Sequence, residues 1–298
     1  MGDRAGGYSK SMKIFYDSRQ SVTNNDSFSP SAGKPEQVLE SWKKLGVPLD
    51  IESFEPLKEE EFHLAHDPSY VERVLNCQEE NGFGNKSPDV ARALPWVAGS
   101  MVAVTLYALK EKKPAFSPTS GAHHAGFYFG SGFCTFNFLV IAAQKAFQMG
   151  AKRVGILDLD RHFGDGTQNI IHKLKLDFIE HYSFGEERIQ RGESAEGWLR
   201  RLPEILTRFQ NCDVVIYNAG VDPHVQDPLG GILTTEQLKA RDEIVFEAAA
   251  RYGFPAIATS LAGGYQRDKK GTIEPVLKLH DQTLVACQEK LVTTTSYK

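Results

Sequence analysis

Three acids and one histidine follow an apolar run in the stretch Gly155-Ile156-Leu157-Asp158-Leu159-Asp160-Arg161-His162-Phe163-Gly164-Asp165-Gly166-Thr167. Asp160 and His162 are two residues apart, so on extended backbone both side chains leave from one face. A carboxylate beside an imidazole suits a borderline divalent ion such as zinc. An isolated Asp-x-His more often marks a strand running out into an acidic turn. Here, however, matching residues stand where three other expected strands end. Gly121-Ala122-His123-His124-Ala125-Gly126 follows the run 115–117, and Asn218-Ala219-Gly220-Val221-Asp222-Pro223-His224 follows 214–217. Ala262-Gly263-Gly264-Tyr265 follows 256–261.

Asp160, His162 and Asp222 together make a three-ligand site, one nitrogen and two carboxylates, that leaves positions open for water and substrate. An ion so held polarises a carbonyl and acidifies a bound water. The reaction still needs a proton acceptor and, for a leaving amine, a donor. His123 and His124, adjacent in a glycine-flanked loop, are the candidates. An imidazole in such a role is oriented by a carboxylate on its other nitrogen, and Asp158 and Asp165 are at hand. Tyr265 follows two glycines, which let backbone approach a ligand closely, and its hydroxyl could donate to an oxyanion opposite the metal.

The elements that must position these residues alternate. Strands are expected over 12–17, 153–160, 176–183, 213–218 and 255–261, with a short run at 114–118. Helices are expected over 35–46, 68–78, 97–112, 136–150, 167–174, 196–210, 234–252 and 274–292, and a Gly/Asn/Ser/Pro-rich loop over 81–95. The strands are continuous apolar runs, the mark of a buried parallel sheet with helices on both faces. Chemistry in such sheets sits beyond the carboxyl ends of the strands, where all four segments fall. No linker divides the chain, so one α/β catalytic domain is expected over 12–298, with a mostly parallel central sheet. Residues 1–11, polar and glycine-rich, read as a disordered leader or cloning remnant.

The 298 residues are 41 % hydrophobic and 24 % charged with a net charge of −4, an ordinary soluble composition without a basic footprint for nucleic acid or anionic membrane. No apolar run approaches the roughly 20 residues of a membrane span. Cys77, Cys134, Cys212 and Cys287 lie far apart without a CxxC pair, which fits a reducing cytoplasm and argues against thiolate ligands.

From residue 12 to residue 280 the chain resembles the zinc-dependent histone deacetylases and their bacterial relatives, the histone deacetylase-like and acetylpolyamine amidohydrolases, on the arginase-deacetylase fold. The resemblance is carried, in family order, by Gly121-Ala122-His123-His124, Ser131-Gly132-Phe133-Cys134, Asp158-Leu159-Asp160-Arg161-His162, Ala219-Gly220-Val221-Asp222 and Gly263-Gly264-Tyr265. It implies one zinc per chain on Asp160, His162 and Asp222. His124, paired with Asp165, would be general base and acid, while His123, paired with Asp158, gives electrostatic support. Tyr265 would hold the oxyanion, and Gly132 and Phe133 would line a tunnel for an acylated lysine-like chain. A structural potassium ion would lie near the zinc, with Asp158, Asp160 and His162 matching its carbonyl donors and His181 offering another. The implied substrate is a small acetylated amine or acetyl-lysine, in the cytoplasm, with a homo-oligomer left open.

Some positions depart from the family pattern. Phe163 stands where a histidine usually repeats, Arg161 where an apolar residue is usual, and Gly33-Lys34-Pro35-Glu36 where a His-Pro-Glu turn is common. For the acid of the substrate rim, Asp89 is the candidate, set against a role in capping the next helix. His63 and His66 read as surface or capping residues, and His224 as a turn residue or a supporting group. A two-manganese ureohydrolase on the same fold would need further carboxylates where Gly164 and His224 stand. A catalytically silent reader of acylated chains is the alternative of another class.

Overall fold

The computed structural model describes residues 11–187, 192–254 and 256–293, so the expected leader lies outside the described residues apart from Ser11. Seven strands form one sheet: β1 (Met12–Phe15), β2 (Leu49–Glu52), β3 (Ala115–Phe116), β4 (Val154–Asp158), β5 (Ile179–Ser183), β6 (Val214–Gly220) and β7 (Ile257–Ala262). They lie in the order β2-β1-β3-β7-β6-β4-β5, and every pairing is parallel.

The apolar runs split by strand alternation onto two cores. Val154 and Ile156 of β4, with Val214 and Ile216 of β6, face one way. They pack there with α3 (Pro68–Leu75), α4 (Pro88–Glu111), α5 (Phe138–Gln148) and α6 (Asp165–Leu174). Leu157, Val215 and Tyr217 face the other way, toward α1 (Lys34–Trp42), α7 (Ala195–Leu206), α8 (Thr235–Tyr252) and α9 (Glu274–Cys287). Period-two side chains on a sheet covered on both faces require such runs.

The sequence expectation fails in four places. The loop expected over 81–95 is already helix from Pro88. Ser87 caps it, its Oγ accepting from Val90 N at 3.4 Å, followed by proline at the first position and an acid in the first turn. Those are helix-start residues, not loop residues, and Pro95 is accommodated inside the helix. This 24-residue helix is also long and apolar enough to cross a membrane by length and composition, against the expectation of no such run. Yet 56 % of its most apolar 18-residue window is buried within the protein. The edge strand β2 was not expected, because it is largely exposed and carries Asp50 and Glu52, which pair with Lys13 of β1. A short helix, α2 (Glu59–Phe62), completes the set.

Candidate active site

Because the strands are parallel, β3, β4, β6 and β7 release their following loops at one edge of the sheet. Register then sets a supporting row of polar side chains. Asp158 ends β4 opposite Asn218 of β6, which lies opposite Ser260 of β7. Ser260 Oγ donates to Asn218 Oδ1 at 3.0 Å, and Asn218 Nδ2 donates to Asp158 Oδ1 at 2.8 Å. The other oxygen, Asp158 Oδ2, accepts from His123 Nδ1 at 2.8 Å. A carboxylate with donors on both oxygens cannot rotate, so His123 is fixed with Nε2 toward Asp160, 3.6 Å from its Oδ1.

His124 forms a second dyad, its Nδ1 donating to Asp165 Oδ1 at 2.6 Å from the first turn of α6. The two imidazole rings are 4.0 Å apart, but their settings differ. The His123 dyad is buried, whereas Asp165 is exposed. Burial works against charge on His123, but the carboxylates of Asp158 and Asp160 outweigh it and push its pKa up to about 9. Burial, with repulsion from His123, holds His124 below its ordinary value.

Asp160, His162 and Asp222 converge, each offering one ligand atom within 4.8 Å of the others. His162 Nδ1 lies 3.2 Å from Asp160 Oδ1 and 2.9 Å from Asp222 Oδ2. Asp222 Oδ2 is buried, and that close approach lacks hydrogen-bond geometry. Only the His162–Asp160 contact is a hydrogen bond, so a buried carboxylate oxygen of Asp222 is left without a partner beside a second carboxylate and an imidazole nitrogen, a donor set that a cation fits. Burial and the neighbouring Asp160 raise the pKa of Asp222, the mark of two carboxylates that repel one another and that a cation between them would relieve. One nitrogen and two oxygens suit zinc, and these residues fit it.

Tyr265 follows Gly263 (φ 54°) and Gly264 (φ 89°), a left-handed turn that only glycine adopts readily. Both ends of that turn are tied. The ammonium of the fully buried Lys34 donates to Gly263 O, and Asp227 Oδ2 accepts from Tyr265 N at 2.7 Å. Burial, then Asp160 and Asp222, raises the Tyr265 pKa, so the phenol keeps its proton. Phe133 itself has φ 64°, and its ring lies 5.7 Å from that of Tyr265. A side chain on Gly132 would run into His124, 2.5 Å from its Cδ2.

The structure thus brings Asp158, Asp160, His162, Asp165, His123, His124, Asp222, Phe133, Gly132 and Tyr265 to one rim. It leaves Asp89 elsewhere. That residue is exposed, pairs with Arg92, and lines a separate hollow with Arg19, Asn24 and Trp96. His66 is not a surface residue: it is fully buried, its Nδ1 donating to Gly126 O at 2.9 Å and its Nε2 accepting from Asn137 N at 2.8 Å. It therefore braces the loop that carries the two site histidines. Sequence reasoning missed Asn218, Ser260, Lys34 and Asp227, and also Phe28, whose ring stacks on Tyr265 at 5.9 Å. The first two had a signal, a polar residue at the end of an apolar strand run. The others join the site through loops with no periodicity to read.

The histone deacetylase domain family matches residues 30–182 and 186–275. An uncharacterized protein of Picosynechococcus is 32 % identical over 234 residues, covering 69 % of this chain and 75 % of that protein. Acetylpolyamine amidohydrolase 1 of Pseudomonas aeruginosa is 31 % identical over 172 residues, 48 % of either chain, so this chain matches about half the length of that relative. The solved HDA15 HD domain aligns with a TM-score of 0.74 at 22 % identity, over 95 % of this chain and 88 % of that one, a likeness of fold alone.

Proposed function

The chain belongs to the histone deacetylase family, and from that premise we propose that it is a zinc-dependent amidohydrolase removing acetyl groups from lysine-like or polyamine amines. The observation that carries this reading is the convergence of Asp160, His162 and Asp222 beside two His–Asp dyads. A zinc ion on those three residues supplies Lewis acidity, polarising the amide carbonyl and acidifying water.

The protein's own groups do the rest. His124, with Nδ1 committed to Asp165, has Nε2 free to take a proton from the attacking water and return it to the leaving amine. His123, held charged by Asp158 and Asp160, stabilises negative charge that develops beside it. The Tyr265 hydroxyl, kept protonated, donates to the carbonyl oxygen as it becomes an oxyanion. The rings of Phe28, Phe133 and Tyr265, 5.7–6.4 Å apart, bound a mouth that suits an unbranched methylene chain ending in an acetamide.

The test pairs metal content with a substrate panel. Purified protein should hold about one zinc per chain and release acetate from acetylpolyamines, acetyl-lysine peptides or both. Asp222→Ala should lose the ion and the activity together. Two tightly bound ions per chain, or full retention in Asp222→Ala, would sink the ligand assignment. Zinc-loaded protein inert on the whole panel would leave a reader of acylated chains.

A further inference from the structure

Behind the two strands that deliver the ligand carboxylates lies an ion pair that none of the proton transfers uses. Arg241 and Asp242 sit within α8, 1 % and 2 % exposed. Asp242 Oδ1 accepts from Arg241 Nε at 2.9 Å and from the Tyr217 hydroxyl, and its Oδ2 accepts from Thr283 Oγ1 at 2.7 Å. So held, the guanidinium turns Nη1 to two backbone carbonyls, Gly220 O at 2.5 Å and Leu159 O at 3.3 Å.

Those carbonyls mark a particular place in the sheet. Leu159 immediately precedes Asp160, and Gly220 lies two residues before Asp222. The registered ladder between β4 and β6 runs only to Asp158 and Asn218, with one more bond from Leu159 N to Asn218 O at 3.1 Å. Beyond it the two backbones still touch: a methyl on Gly220 would lie 2.8 Å from Asp160 N and 3.0 Å from Asp160 Cβ. One nitrogen of Arg241 bridges the two segments just past the ladder, on the way to the ligands. A buried ion pair is no better for stability than apolar residues of the same volume. This pair does something apolar residues cannot, which is to hold two carbonyls at a set spacing beside two acids.

We propose that Arg241, oriented by Asp242, is a positioning residue for the metal site: it sets the separation of Asp160 and Asp222 by bridging the Leu159 and Gly220 carbonyls, and its charge offsets their mutual repulsion. The inference rests on the reading of Asp160, His162 and Asp222 as ligands. Lysine at 241 would keep the charge but lose the planar fork that reaches Asp242 and the carbonyls at once.

The measurement is zinc affinity of the full chain, by competition with a chromophoric chelator, for the wild type, Arg241→Lys and Asp242→Asn. Groups that orient metal ligands typically contribute about 10- to 100-fold in affinity. A loss of that size is expected for Arg241→Lys, and a smaller one for Asp242→Asn, which leaves the guanidinium in place. Cobalt(II) in the site should show altered visible bands in both, because those bands report ligand geometry, and a purely stabilising role would lower the melting temperature alone. Wild-type affinity with an unchanged cobalt spectrum, in whichever variant folds, overturns the proposal. Wild-type protein that binds no zinc overturns the ligand assignment and this inference with it.

Discussion

A methyl group on Gly263 should empty the metal site without altering any ligand. Gly263 follows β7 directly, and a Cβ there would lie 2.6 Å from Asp222 Cβ and closer still to its carboxylate carbon. Carbon atoms in contact normally stop near about 3.5 Å, so the Asp222 side chain or the loop must move by roughly 1 Å. Metal–ligand distances tolerate only about 0.2 Å, so that movement removes one ligand of three. The left-handed backbone adds strain of about 1–2 kcal/mol for any residue with a Cβ.

Two controls separate these effects. Gly231 has φ 107° and nothing within 4 Å of an added Cβ, so Gly231→Ala reads the backbone strain alone. Gly264→Ala meets Val276 Cγ1 at 2.6 Å and Val221 Cγ2 at 2.8 Å, adding apolar crowding without touching a ligand. At roughly 2–3 °C per kcal/mol in a chain of this size, Gly231→Ala should melt about 2–6 °C lower with full zinc content. Gly264→Ala should melt lower again and keep its zinc. Gly263→Ala should lose it, measured as zinc per chain after exhaustive dialysis with melting curves alongside. Wild-type zinc content and affinity in Gly263→Ala would refute the reasoning.

His124→Ala should lower kcat by roughly 10²- to 10⁴-fold, the range for losing a positioned acid–base group, at full metal content. His123→Ala should do less harm, and the reverse order would exchange the two roles. Tyr265→Phe keeps the ring against Phe28 and Phe133 but removes the donor, so kcat should fall about 10²- to 10³-fold with KM little changed. A normal kcat would leave the tyrosine as wall. His66 titrates near 6.5 when unfolded, but burial lowers it to about 3 in the fold. The unfolded chain takes up the proton first, so this contribution is complete above pH 6.5 and fades as pH falls, by about 2 kcal/mol at pH 5. Urea unfolding at pH 7 and pH 5 should show His66→Gln with the shallower loss, and equal losses would contradict it.

The fold was legible where one residue type had one environment. The strands 153–160 and 213–218 were expected because a strand covered on both faces is apolar at every position, which yields an unbroken run. β2 gave no such run, since an edge strand has water on one side and here spends its side chains on Lys13. The start of α4 was misread because serine, proline and aspartate serve both loops and helix caps. Only the order Ser87-Pro88-Asp89 separates the two.

The proposed ligands Asp160 and His162 were legible because they stand close behind one apolar strand run, although β4 stops at Asp158 and both lie in the bend that follows, not on the extended backbone that the spacing argument assumed. The rim was not: Phe28, Phe83 and Phe133 meet through loops distant in sequence, and no local pattern encodes such a meeting. The split between the two histidines lies between these cases. By sequence His123 and His124 are interchangeable, each with a carboxylate to hand. Asp158, fully buried, has both oxygens occupied, and together with Asp160 it raises the pKa of His123 to about 9, so that imidazole is protonated at neutral pH and has no lone pair to offer. Asp165, exposed at the start of α6, is screened by water, and burial together with the cationic neighbour leaves His124 neutral at the same pH. Only a neutral imidazole accepts a proton, so environment rather than residue type suits His124 to the proposed role of base.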